Sequence, residues 1–113
     1  MSQSRELVAA SATPLVLSIL SRGESYGYAI IQEVRELSDS EIEWTDGMLY
    51  PVLRRLEKQG LLRSEWRAPE TGKKRRYYSI NRSGRSALQE HRRQWLVTSR
   101  VFNKLWEETP CMI

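Results

Sequence analysis

A chain of 113 residues can hold one domain with a modest core, and 40% hydrophobic and 28% charged residues are ordinary for a soluble globular protein. The net charge is +4, and the lone cysteine, Cys111, excludes an intrachain disulfide and favours a reducing compartment. Apolar runs such as residues 14–17 are too short to cross a membrane and no secretory leader is evident, so we expect a cytoplasmic protein.

The first two predicted elements are helices. Residues 5–21 carry apolar side chains at roughly helical spacing. Pro14 interrupts this stretch, so we expect either a kink or a new helix start capped by Thr13. Ser25 is expected to cap the second helix, with an apolar face formed by Gly27, Ile30, Val34 and Leu37.

A third helix and a β-hairpin follow. Thr45 is a good N-cap residue and Gly60 a good stop signal, and the helix between them carries an apolar stripe of Leu49, Leu53 and Leu56. Residues 61–80 then change to an alternating pattern in two runs, separated by the turn-rich segment 68–74. This pattern predicts a hairpin with a basic tip.

The last predicted element is a long helix that Asn81 caps and that reaches about residue 107. Apolar side chains recur on it every seven residues, as in a coiled-coil seam, at Leu88, Trp95 and Phe102. A domain this small has little left to bury such a seam, so the pattern predicts a homodimer. Arg92 and Ser99 interrupt the seam and leave room for a pocket. We expect the interface to contain Leu88, His91, Trp95, Phe102, Leu105 and Trp106.

The order helix, helix, helix, hairpin, helix is that of a winged helix-turn-helix. The sequence therefore predicts a mostly α (α+β) fold with a two-stranded β-wing and a long C-terminal dimerisation helix. We expect residues 1–80 to form the DNA-binding domain, residues 81–107 to form the dimerisation helix and residues 108–113 to be a flexible tail.

The positive charge is concentrated where this fold would meet DNA. Residues 54–93 hold thirteen basic and four acidic groups, whereas residues 1–53 hold three basic and eight acidic ones. For the helix alone a solvated basic face is the simpler interpretation, but the neighbouring run of four basic residues in the wing favours DNA. The predicted contacts are Thr45, Tyr50, Arg54 and Lys58 on the helix, and Lys73, Lys74 and Arg75 on the wing.

Three segments together resemble the PadR family of bacterial transcriptional regulators. They are SYGYAIIQEV at residues 25–34, GMLYPVLRRLEKQGLL at residues 47–62 and RRYYSINRSG at residues 75–84. The resemblance covers about residues 7–107, and the single C-terminal helix is similar to that of the short subfamily.

The resemblance implies a dimeric repressor on a two-fold symmetric operator in double-stranded DNA. It implies DNA contacts from Tyr50, Arg54 and Lys73–Arg75. Because several short relatives bind flat aromatic compounds between subunits through a Trp of the last helix, it also implies an effector site at Trp95. Phe102, seven residues further along the helix, is a second candidate effector contact. A dimer-core role for Trp95 is equally compatible with the sequence, and core is the better interpretation of Phe102.

Other functions find less support in the sequence. His91 is the only histidine and lies in no ligand-spaced cluster, so we expect no metal and no cofactor. No nucleophile and base pair indicates an enzyme. The main alternative is a winged-helix module that contacts protein or RNA without an effector. Trp44 and Trp66 are expected to be structural.

Overall fold

The computed structural model describes residues 3–108; Cys111 and the predicted tail after residue 108 lie outside the described residues. Four helices and three strands make up this part of the chain. In chain order they are α1 (Arg5–Ser21), β1 (Ser25–Tyr26), α2 (Gly27–Leu37), α3 (Asp46–Lys58), β2 (Leu62–Arg67), β3 (Arg75–Ile80) and α4 (Arg82–Glu108). The strands form one antiparallel sheet in the order β1-β3-β2. The winged helix-turn-helix prediction is confirmed.

Two predicted helix caps are present with their hydrogen bonds. The backbone N–H of Met48 donates to Oγ1 of Thr45 at 3.3 Å, at the start of α3. The backbone N–H of Gly84 donates to Oδ1 of Asn81 at 2.8 Å, at the start of α4. Each bond satisfies an amide that the first helical turn leaves without a partner. Gly60, after α3, has a φ of +79°, which favours glycine.

The start of α2 differs from the prediction. Ser25 does not cap a helix; it lies in strand β1 and pairs with Tyr78 of β3. The N-cap position of α2 belongs to Tyr26, which makes no side-chain capping bond. The physical reason is tertiary, because β3 would otherwise have an edge without backbone partners. The sheet therefore has three strands instead of the predicted two.

Pro14 lies inside α1, which continues as one helix from Arg5 to Ser21. Proline removes one backbone hydrogen bond, and the turn that follows it is held by burial of Val16 and Leu17. The apolar faces of α1, α2 and α3 meet under the sheet in one core, whose largest fully buried side chains are Tyr78, Leu17, Leu20, Ile30, Leu49, Leu53, Leu56 and Val16. Leu37, at the end of α2, is exposed.

Only the first part of α4 belongs to this core. Leu88 is buried there, whereas the apolar side chains from Trp95 to Trp106 are exposed. The radius of gyration is 16.3 Å, and a compact domain of this length would have about 13 Å. The second half of α4 therefore projects from the domain.

Gly84 sits where α4 crosses the end of the hairpin. A Cβ atom at this position would overlap the carbonyl oxygen of Leu61 and lie 2.5 Å from Cγ1 of Ile80.

Helix propensity alone predicts that Gly84→Ala stabilises the protein by about 1 kcal/mol. Because the overlap involves backbone, we expect a net destabilisation of about 2 kcal/mol instead, measured by urea unfolding. Ser83→Ala, at the exposed neighbouring position, should change stability by less than about 0.5 kcal/mol; equal effects of the two substitutions would contradict the close approach.

Candidate nucleic-acid interface

The outer face of α3 carries the side chains that lie opposite its buried leucines. Tyr50, Arg54 and Lys58 are exposed and follow one another at intervals of four residues, so they share one face. The adjacent Arg55 is used differently, because its Nη2 donates to Oγ1 of Thr13 at 2.6 Å and ties α3 to α1.

A groove of about 450 Å³ separates this face of α3 from the wing. Four of the predicted DNA contacts line it: Tyr50 and Arg54 from α3, and Lys74 and Arg75 from the wing. Thr45, Lys58 and Lys73 are also exposed but do not line the groove. The structure thus brings four of the seven predicted contacts, two from α3 and two from the wing, around one groove, whereas Thr45 lines a different groove.

Besides Tyr50, four aromatic side chains that are not among the seven predicted contacts line this groove. They are Tyr26, Tyr28, Trp66 and Tyr78. Trp66 was expected to be structural, yet it is 59% exposed, because it lies near the wing tip, beyond the part of the hairpin that covers the core. Trp44, in contrast, is buried as expected. The alternating pattern of β2 places Trp66 on a sheet face, but it does not show where the core beneath that face ends.

Gly27 at the start of α2 allows Tyr50 to lie close to the backbone. A Cβ atom on Gly27 would lie 3.1 Å from the hydroxyl oxygen of Tyr50 and 3.3 Å from its Cζ. Beside Tyr50, Tyr78 lies at the base of the groove, and its burial raises the pKa of the phenol. The aromatic side chains at the base of the groove are therefore held in place by α2, α3 and β3 together.

Two arginines of the wing stack on tyrosines. The guanidinium of Arg75 lies 4.5 Å from the ring centre of Tyr26, and that of Arg67 lies 4.6 Å from the ring centre of Tyr77. Arg67 also donates from Nη1 and Nη2 to the two carboxylate oxygens of Glu24, at 2.6 and 2.8 Å. These hydrogen bonds hold the pKa of the Glu24 carboxyl below its usual value. Arg67 is thus neutralised locally by Glu24.

The predicted interface residues of α4 divide into three groups. Leu88 is buried in the core of its own chain. His91 and Trp95 line a shallow groove of about 270 Å³ against α1, together with Arg92, Ser11, Pro14, Leu15 and Ser18. Phe102 stacks on Trp106 with ring centres 5.0 Å apart, and Leu105 is exposed beside them. Within one chain, Trp95 therefore lines the groove against α1, whereas Phe102 lies outside that groove and stacks on Trp106.

Over the described residues, no helix is long and apolar enough to span a membrane. Residues 3–108 also bring together no group of three or more His, Cys, Asp or Glu side chains that could hold a metal ion.

Comparison with known proteins gives a consistent match. The model of the transcriptional regulator PadR-like family matches residues 16–90. The transcriptional regulator Rv3488 of Mycobacterium tuberculosis is 39% identical over 89 residues, which is 79% of each chain. The transcriptional regulator YqjI of Escherichia coli is 34% identical over 80 residues, which are 71% of this chain but 37% of that longer protein. A PadR family transcriptional regulator from Eggerthella lenta superposes with a TM-score of 0.76 at 40% identity, covering 92% of this chain and 88% of that one.

Proposed function

The chain belongs to the PadR-like family of transcriptional regulators, and from this premise we propose that it is a homodimeric repressor of a two-fold symmetric operator. In this proposal α3 enters the major groove and the wing contacts the neighbouring backbone. A bound flat aromatic effector then releases the repressor from its operator.

One observation carries the DNA-binding proposal. The exposed face of α3 and the wing tip present Tyr50, Arg54, Lys74 and Arg75 around a single groove. A guanidinium on a helix face is suited to guanine edges, whereas an ammonium on a mobile stem is suited to phosphates. We therefore assign base reading to Arg54 and backbone contact to Lys74, with Thr45, Lys58 and Lys73 as further phosphate contacts.

This division of roles predicts different responses to mutation. Against a duplex selected by the protein from a random-sequence library, Arg54→Ala should weaken binding by about 1–3 kcal/mol and relax selectivity over a scrambled duplex. Lys74→Ala should weaken binding to both duplexes alike and reduce the salt slope of the binding constant by about 1. Fluorescence anisotropy at several salt concentrations measures both effects.

Arg35→Ala is the matched control, because Arg35 lies at the far end of α2 and pairs with Glu43. This substitution should leave the affinity for both duplexes, and the salt slope of the binding constant, near the wild-type values. Absence of any sequence selection at physiological salt would overturn the proposal. Tighter binding to duplex RNA than to duplex DNA would favour the alternative, a winged-helix module for RNA.

The homodimer is proposed on the exposed second half of α4. Taking 100° per residue, Trp95, Phe102 and Trp106 fall on one side of the helix. The opposite side of the helix carries the charged side chains Arg93 and Arg100. Arg93 donates hydrogen bonds to the Glu90 carboxylate, and these hold the pKa of that carboxyl at about 2. Apolar patches of this kind are rare on monomers, and a helix seam pairs readily with its own copy around a two-fold axis. A second copy of α4 is therefore the proposed occupant.

Introducing a charge into this seam should separate the subunits. We expect Phe102→Glu to convert a dimer into a monomer in sedimentation velocity, because an unpaired carboxylate would be buried in the interface. Arg100→Glu puts the same carboxylate on the opposite side of the helix and should leave the dimer intact. A monomeric wild type, or dimers in both variants, would contradict the proposed seam.

The effector site is proposed at the groove between α1 and α4. Its exposed surface is mostly apolar, Trp95 forms one wall, and Arg92 in the lining carries a positive charge. A flat aromatic molecule could stack on the indole there. Phe102 lies outside this groove in the same chain, so we assign it to the dimer seam.

Calorimetric titration with flavone compounds tests the site. We expect saturable binding that Trp95→Ala abolishes, while Trp66→Ala, which removes another exposed indole, retains it. The same compound should release the selected duplex from the wild-type protein but not from Trp95→Ala. Binding that survives in Trp95→Ala, or that leaves the DNA complex intact, would refute the effector proposal.

A further inference from the structure

Three polar side chains link the recognition helix to the wing. Oγ of Ser64 in β2 donates to Oε2 of Glu57 in α3 at 2.7 Å. Nε of Arg76 in β3 donates to Oγ of Ser64 at 2.9 Å, and its Nη2 donates to Oε1 of Glu57 at 3.3 Å. Each side chain is bonded to the other two, so the three hydrogen bonds form a closed ring across three elements.

The hairpin register makes this ring possible. Ser64 pairs with Tyr78 and Trp66 pairs with Arg76, so all four side chains lie on one face of the sheet. The guanidinium of Arg76 lies 5.8 Å from the ring centre of Trp66 and 5.9 Å from that of Tyr78. These contacts keep Arg76 on the side that faces α3, whereas Arg75 stacks on Tyr26.

Arg76 therefore differs in its surroundings from the other three cations of the basic run. Lys73, Lys74 and Arg75 are exposed, and Arg76 is half-buried against a carboxylate that is itself 29% exposed. A cation that is already paired with a carboxylate has little charge left to offer a phosphate. Its charge serves a contact within the protein.

We propose that Glu57, Ser64 and Arg76 are positioning residues, which fix the angle of the wing relative to α3 so that both elements meet DNA together. This inference rests on the proposed DNA-binding function. A six-residue strand spans roughly 20 Å, so a pivot of about 15° at its base would move the wing tip by roughly 5 Å. Such a shift is enough to separate Lys74 from a phosphate while Arg54 stays in the groove.

Glu57→Ala tests the proposal, because a purely electrostatic role and a positioning role of Glu57 predict opposite changes in the affinity for DNA. Removal of a negative charge close to DNA should strengthen binding if Glu57 acts only through its charge. Positioning predicts that binding to the selected duplex weakens, by about tenfold, and that the salt slope falls by up to about 1, because the displaced wing loses the phosphate contact of Lys74. Glu57→Gln keeps an oxygen acceptor and should recover most of the affinity. Glu70→Ala, which removes an exposed carboxylate from the wing loop, should bind at least as tightly as the wild type.

A second measurement uses the protein without DNA. In Glu57→Ala, amide relaxation and hydrogen exchange of residues 67–75 should indicate a more mobile wing, while the amides of α3 keep their protection. Unchanged wing dynamics, or binding as tight as that of the wild type, would each overturn the positioning role. If the wild type selects no duplex, the DNA-binding function fails, and the wing dynamics still decide whether the ring fixes the wing.

Discussion

The candidate interface depends on the burial of one stripe of leucines in α3. Leu49, Leu53 and Leu56 are almost completely inaccessible and pack against α1, α2 and the sheet. Burying three such side chains contributes about 1.5–3 kcal/mol each, far more than a polar contact at the surface. Because a helix is rigid, this burial also fixes the direction of Tyr50 and Arg54 on the opposite face. Burial of these leucines in the core thus decides which side chains of α3 face the solvent.

The wing is held by weaker forces of a different kind. Its strands are joined to each other by backbone hydrogen bonds, and its outer part lies over the groove. Here the contacts are ion pairs, cation–π contacts and the ring of Glu57, Ser64 and Arg76. Such contacts at a surface add little to the free energy of unfolding, but they restrict orientation. A rigid helix beside a wing whose angle is restricted by polar contacts is a suitable arrangement for presenting both elements to DNA together.

Local signals in the sequence were sufficient for α3, α4 and the hairpin. Thr45 and Asn81 are caps that act within three residues, and the leucine stripe and the strand alternation are short-range patterns. Ser25 was misassigned because its strand pairing depends on Tyr78, which is more than fifty residues away. For the same reason the link between Glu57 and Arg76 has no signature in periodicity, since it depends on how the hairpin folds back onto α3. The exposure of Trp66 likewise follows from where the core ends.

The most direct test of the central claim is to map amide chemical-shift changes in the protein on addition of the selected duplex. The claim is that α3 and the wing form one DNA surface around the groove. We expect the largest changes at residues 45–58 and 73–76, with smaller ones at the start of α2 and little change at its far end near Arg35. Changes confined to α4, or changes in only one of α3 and the wing, would contradict it.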